Sequence, residues 1–187
     1  MLCLCINSFS KAKNGVFART RYDDLLHFFS EYENPRAKDL ELFEAQSRKI
    51  VIVLDQLWKC FGSSAKALRN RSYVLSIYLY VEELLDGDSQ LSAEDQRKIA
   101  PFFAKLWKSL KDEMKLGMER KNKEIYVFQN LLSSAPGEEY QIRRRHEKLD
   151  EFYKHFKRTG AIKGDQPQSS TPRESRRRRR GARADHV

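Results

Sequence analysis

Apolar residues recur at spacings of three and four along most of this chain, the period of helices that bury one side. Residues 20–33 set Tyr22, Leu25, Leu26 and Phe29 on one stripe, with Thr20 available as an N-cap and Asp23 and Asp24 suited to the first-turn dipole. Asn34-Pro35 breaks this helix and opens the next, because proline fits only a first turn. The next helix spans about 36–61 on Leu40, Phe43, Ser47, Ile50, Leu54, Leu57 and Phe61, and Gly62 ends it. The run Ile50-Val51-Ile52-Val53-Leu54 would suit a buried strand, but helical spacing continues on both sides of it. Apolar residues on every side there predict a helix surrounded by neighbours.

Residues 70–85 read the same way through Tyr73, Val74, Ile77, Tyr78, Val81, Leu84 and Leu85, and Asp86-Gly87-Asp88 reads as a turn. Ser92 and Asp95 have capping-box spacing. They precede a long amphipathic helix carrying Ile99, Phe102, Phe103, Leu106, Trp107, Leu110, Met114 and Met118. Pro101 implies either a kink or a start near residue 100. A shorter element at 123–133 and a last helix at 138–158, closed by Gly160, complete the pattern. The expected fold is all-α, a five-to-six-helix bundle. Residues 1–18 are expected as a poorly defined segment, 19–163 as the helical domain and 164–187 as a disordered basic tail.

Charge changes this picture mainly at the C-terminus. The chain has 187 residues and a net charge of +10. From Lys163 onward eight cations face three carboxylates, so half of that excess sits in the tail, with Arg176, Arg177, Arg178, Arg179 and Arg180 in one block. Such a composition cannot build a core. It leaves two readings, a solvated extension or an electrostatic contact with DNA or RNA, and the contact would position the protein without reading bases. No aromatic residue accompanies the arginines for stacking. In the body, Arg143-Arg144-Arg145 with Lys148 is the second basic feature. Arg144 and Lys148 align at i, i+4, so Arg144, Arg145 and Lys148 are the body's candidates for phosphate contact, with Glu138, Glu139 and Glu147 as internal counter-charges.

Other chemistry finds little footing. Cys3, Cys5 and Cys60 are odd in number with no framework spacing, which points to a reducing, cytoplasmic setting. The apolar opening Met1 to Ile6 is too short for a signal sequence or a span, so no membrane is expected. His27, His146 and His155 lack ligand partners at local spacing, and no glycine-rich phosphate loop or placed nucleophile occurs. No metal, cofactor or catalytic residue is therefore expected. The carboxylates Asp23, Asp24, Glu31, Glu33, Asp39, Glu41 and Glu44 read as a solvated acidic face.

One stretch looks familiar. Phe128-Gln129-Asn130-Leu131-Leu132-Ser133-Ser134-Ala135, Arg144-Arg145-His146-Glu147-Lys148-Leu149, Tyr153 and Thr159-Gly160-Ala161-Ile162 resemble the end of the ParB-like domain of GmrSD-type defence proteins. Leu68-Arg69-Asn70-Arg71-Ser72-Tyr73 is compatible with that family's helical half. The resemblance implies a helical module whose usual α/β portion, with its Asp-Gly-Gln-Gln-Arg-like motif, is absent from this chain. No catalytic residue carries over. It also implies a partner, either a missing N-terminal domain or another protein, against which Phe128, Arg145 and His146 would pack. The expected function is a non-catalytic module with non-specific nucleic-acid contact; the alternative is a partner-binding helical scaffold with an incidental tail.

Overall fold

A computed structural model of the chain describes residues 2–62, 70–85, 89–116 and 122–164. Among these the secondary structure is entirely helical: α1 (Leu2–Asn14), α2 (Tyr22–Glu31), α3 (Ala37–Phe61), α4 (Arg71–Leu85), α5 (Ala93–Lys115), α6 (Lys123–Ser133) and α7 (Glu139–Thr159). The expected Asp86–Asp88 turn, Met118 and the 164–187 tail beyond Gly164 lie outside the described residues.

Among the described residues seven helices replace the expected five to six, because the opening segment is helical. Its apolar face is short, but Ile6 and Phe9 are buried and Phe9 stacks on Phe43 of α3 at 4.2 Å. Residues 1–18 thus contribute α1 to the body. Local chemistry sets the other ends. Asn70 Oδ1 accepts the Tyr73 N–H at 2.9 Å and Ser92 Oγ accepts the Asp95 N–H at 3.1 Å. Asn122 Oδ1 takes the amides of Glu124 and Ile125 at the start of α6, each cap satisfying orphan donors of a first turn. Gly160, at φ +70°, closes α7 in the left-handed conformation that glycine adopts without strain. Thr20 does not cap α2; Arg21 N–H donates to Asp24 instead, and Thr20 N–H donates to Gly137 O. Pro101 lies inside α5 on its exposed side, so the start near residue 100 does not occur.

The core is organised around α4, whose residues Leu75 to Val81 are buried without interruption. That helix packs on α1, α3, α6 and α7. It reaches α5 through Tyr73, which stacks on Trp107 at 4.9 Å and donates its hydroxyl to Phe103 O at 2.8 Å. Two expected stripes turn out differently. In α3 the buried residues are Ile50, Val53, Gln56 and Phe61, while Val51 is 66% exposed, so this helix is not surrounded. In α2, Tyr22, Leu26 and Phe29 are exposed, and the helix is held through Phe28 and Tyr32 against Phe9 and Phe43.

Candidate nucleic-acid interface

The basic run on α7 does not form the phosphate site expected of it. Arg145 is completely buried, donating to Ser76 Oγ (3.0 Å), Leu131 O (2.9 Å) and Pro136 O (2.9 Å). Burial lowers its pKa to about 10, and no external phosphate can reach it. Arg144 is exposed but bonds Glu147 at 2.9 Å. Lys148 binds both Glu124 and Glu151; burial depresses its ammonium, and the two carboxylates outweigh that and raise it. Arg143 lies 4.0 Å from Glu139. The run is largely neutralised within the fold, mostly by acids of α6 and α7. Arg176 to Arg180 lie outside the described residues.

Among the described residues, a positive surface that is compensated only at its two ends, by Lys98–Glu94 and Lys115–Asp112, lies on α5. Between Asp95 and Asp112 this helix has no carboxylate and five cations: Arg97, Lys98, Lys105, Lys108 and Lys111. At 100° per residue, Arg97, Ala104, Lys108, Lys111 and Lys115 fall within an arc of about 60°, along a rise of about 27 Å. All five are exposed. Their position opposite Ile99, Phe102, Phe103, Leu106 and Leu110, which are buried, fixes this stripe outward. Lys108 and Lys111 have no carboxylate partner among the described residues, and Lys115 pairs with Asp112 at 3.2 Å.

Two further α5 lysines tie this face to the end of α7. Lys98 Nζ donates to Lys157 O at 2.9 Å and Lys105 Nζ to Gly160 O at 2.8 Å. Cations there meet orphan carbonyls and the negative end of the helix dipole. Arg158, between those carbonyls in sequence, is exposed. Beside it Asp95 accepts from Tyr153 Oη at 2.7 Å and pairs with Lys157 at 3.4 Å. Burial works against the Asp95 carboxylate, and the hydrogen bonds from Ser92 and Tyr153 prevail and lower its pKa. The surface therefore combines an exposed basic row, in which the Lys108 and Lys111 ammonium groups have no carboxylate partner among the described residues, with an adjacent basic helix end. It can neutralise a line of phosphates; nothing on it is placed to read a base edge.

The histidines show no site of this kind. His27 is exposed. His146 is buried between Phe17 and Tyr80, with Nε2 2.6 Å from Glu83 Oε2, which also accepts from Lys11 at 2.8 Å. Among the described residues no three His, Cys, Asp or Glu side chains are grouped so as to hold a metal ion. No helix there is long and apolar enough to cross a membrane.

Compared with known proteins, the chain matches no family model, no curated protein and no solved structure, so nothing ties it to ParB-like or GmrSD-type proteins. The α5 face was missed from sequence because its apolar stripe drew the reading inward. The signal was there: five cations and no acid over residues 96–111, at spacings that return to one side of a helix.

Proposed function

We propose that this chain is a non-catalytic helical module that binds nucleic acid through its phosphate backbone, without sequence preference. The observation that carries the reading is the α5 stripe of Arg97, Lys108, Lys111 and Lys115, exposed and little compensated. Arg176 to Arg180 supply a second, chain-terminal contact. A role as the helical half of a defence protein rests on the resemblance of residues 128–162 alone.

The test is a salt titration of duplex binding by the full chain. Each neutralised phosphate contributes about −0.9 to the log–log slope. Replacing Lys108 and Lys111 by glutamine should reduce the slope by about 2, and replacing Arg176 to Arg180 by glutamine should reduce it by about 4 to 5. Arg144→Gln should change it little, since Glu147 already occupies that side chain. If neither block of substitutions changes binding, or if the unaltered chain does not bind at moderate salt, the proposal fails. Turnover of DNA or nucleotide by the purified chain would end the non-catalytic part.

A further inference from the structure

The outward side of α3 carries a second pattern, unrelated to the basic face. Leu40, Glu44, Ser47, Val51, Leu54 and Trp58 follow alternating steps of four and three, the seam of a two-helix coiled coil. Three of its apolar members stand in solvent, Leu40 at 50%, Val51 at 66% and Trp58 at 68% exposure, and the fourth, Leu54, is partly buried at the edge of the core. Phe43, Ile50 and Leu57, one position before the seam residues, take the inward side with Val53. The helix thus has two apolar sides, and the fold reaches the second only through Leu54. A row of exposed aliphatic and indole side chains on a 25-residue helix is a surface that water solvates poorly.

From its sequence we infer that residues 47–58 of this seam are covered by a second copy of the chain, with the two α3 helices antiparallel. Two kinds of complementarity select that occupant. The first is size: the register that sets Val51 on Leu54 of the second copy also sets Trp58 on Ser47 of the second copy, a large side chain over a small one. By symmetry both contacts occur twice. The second is charge. The charged residues in and beside the seam read Glu44, Arg48, Asp55, Lys59, an alternation that matches itself only when reversed. Arg48 then comes beside Asp55 of the second copy, and Glu44 beside Lys59 of the second copy. A parallel, in-register pair would instead set Glu44 on Glu44 and Trp58 on Trp58. Antiparallel pairing also opposes the helix dipoles favourably.

Within one chain those four charges form i, i+4 pairs, Glu44–Arg48 at 3.9 Å and Asp55–Lys59 at 2.6 Å. All four side chains are at least half exposed, and such pairs contribute little, so they can exchange partners across an interface at small cost. The seam is narrow, which places the dimer among weak, reversible assemblies rather than obligate ones.

Sedimentation velocity of the full chain, freed of nucleic acid, tests this from about 1 to about 200 µM, the range of a small interface. Reversible dimerisation is expected, with a concentration-dependent blue shift of Trp58 emission. Val51→Glu and Trp58→Ala should each weaken it at least about tenfold while leaving the far-UV spectrum and melting unchanged, because both side chains are exposed. Arg48→Glu should weaken association, and Arg48→Glu combined with Asp55→Arg should restore it. A chain that stays monomeric throughout overturns the inference and leaves the seam to a partner of other sequence. A dimer that survives Val51→Glu with Trp58→Ala overturns it too. Failure of the double charge exchange to rescue overturns the antiparallel register.

Discussion

Arg145 is a guanidinium brought into the core with no carboxylate to meet it among the described residues. It is retained because its planar fork meets three acceptors at once, one from α4, one carbonyl near the end of α6 and one within the α6–α7 loop. In effect it fastens Leu131 and Pro136 over the first turns of α7. Arg145→Met should cost about 1–3 kcal/mol, since the buried Ser76 hydroxyl and the part-buried carbonyls of Leu131 and Pro136 lose their donor, read as a fall in thermal midpoint. Arg145→Lys should recover only part of the loss, because one ammonium cannot span the three directions; full recovery would show that the charge alone matters. The sequence marks Arg145 only as one of three adjacent arginines. Which of them turns inward depends on the faces that α4 and α6 present to α7, information that lies 14 and 69 residues away.

Among elements, the junction of α1, α4 and α7 shows how a polar contact ties a helix that the apolar pattern understates. Glu83 of α4 accepts from His146 of α7 and Lys11 of α1. The hydrogen bond from His146, the largest influence, and that from Lys11 outweigh burial and lower its pKa to about 2. A carboxylate depressed on folding stabilises the fold above its unfolded pKa, near 4.5. That contribution is lost as pH falls from about 4.5 to about 2. The carboxylate is half exposed, so solvent screening reduces its worth to on the order of 1 kcal/mol. Urea midpoints measured down through this window should fall less steeply in Glu83→Gln than in the unaltered chain; parallel curves would remove Glu83 from the acid response. The sequence shows α2 through α7 by their periods, and α6 within its observed bounds. For α1 it shows only six apolar residues, too few to predict a helix. The burial of Ile6 and Phe9 against other helices supplies what the local pattern lacks.

At the scale of the whole molecule, α4 makes one cooperative unit of the described helices. Its buried tyrosines reach α1 through Ser8–Tyr78, α5 through Tyr73–Phe103 and α7 through Tyr80–Asp150. Thermal unfolding followed by far-UV circular dichroism and by near-UV tyrosine signal should therefore coincide in a single transition; separated midpoints would show that α1–α3 and α4–α7 melt independently. Charge is also a whole-molecule property. The body's excess reads along the chain as diffuse, but folding pairs Arg143, Arg144 and Lys148 of α7 with carboxylates, buries Arg145 and leaves Lys108 and Lys111 of α5 facing out. The phosphate-binding reading thereby moves from Arg144, Arg145 and Lys148 to Arg97, Lys108, Lys111 and Lys115.

The sequence by itself determined that the body is helical, roughly where its longer helices begin and end, and where charge gathers in the tail. These follow from interactions within a few residues: period, caps and chain breakers. Only the tertiary structure decided which apolar stripe of α3 is buried, that Tyr22 and Phe29 of α2 stay exposed, and which cations remain unpaired. Those outcomes depend on what a neighbouring helix offers to a given face, and a helix with apolar residues on two sides is compatible locally with burying either.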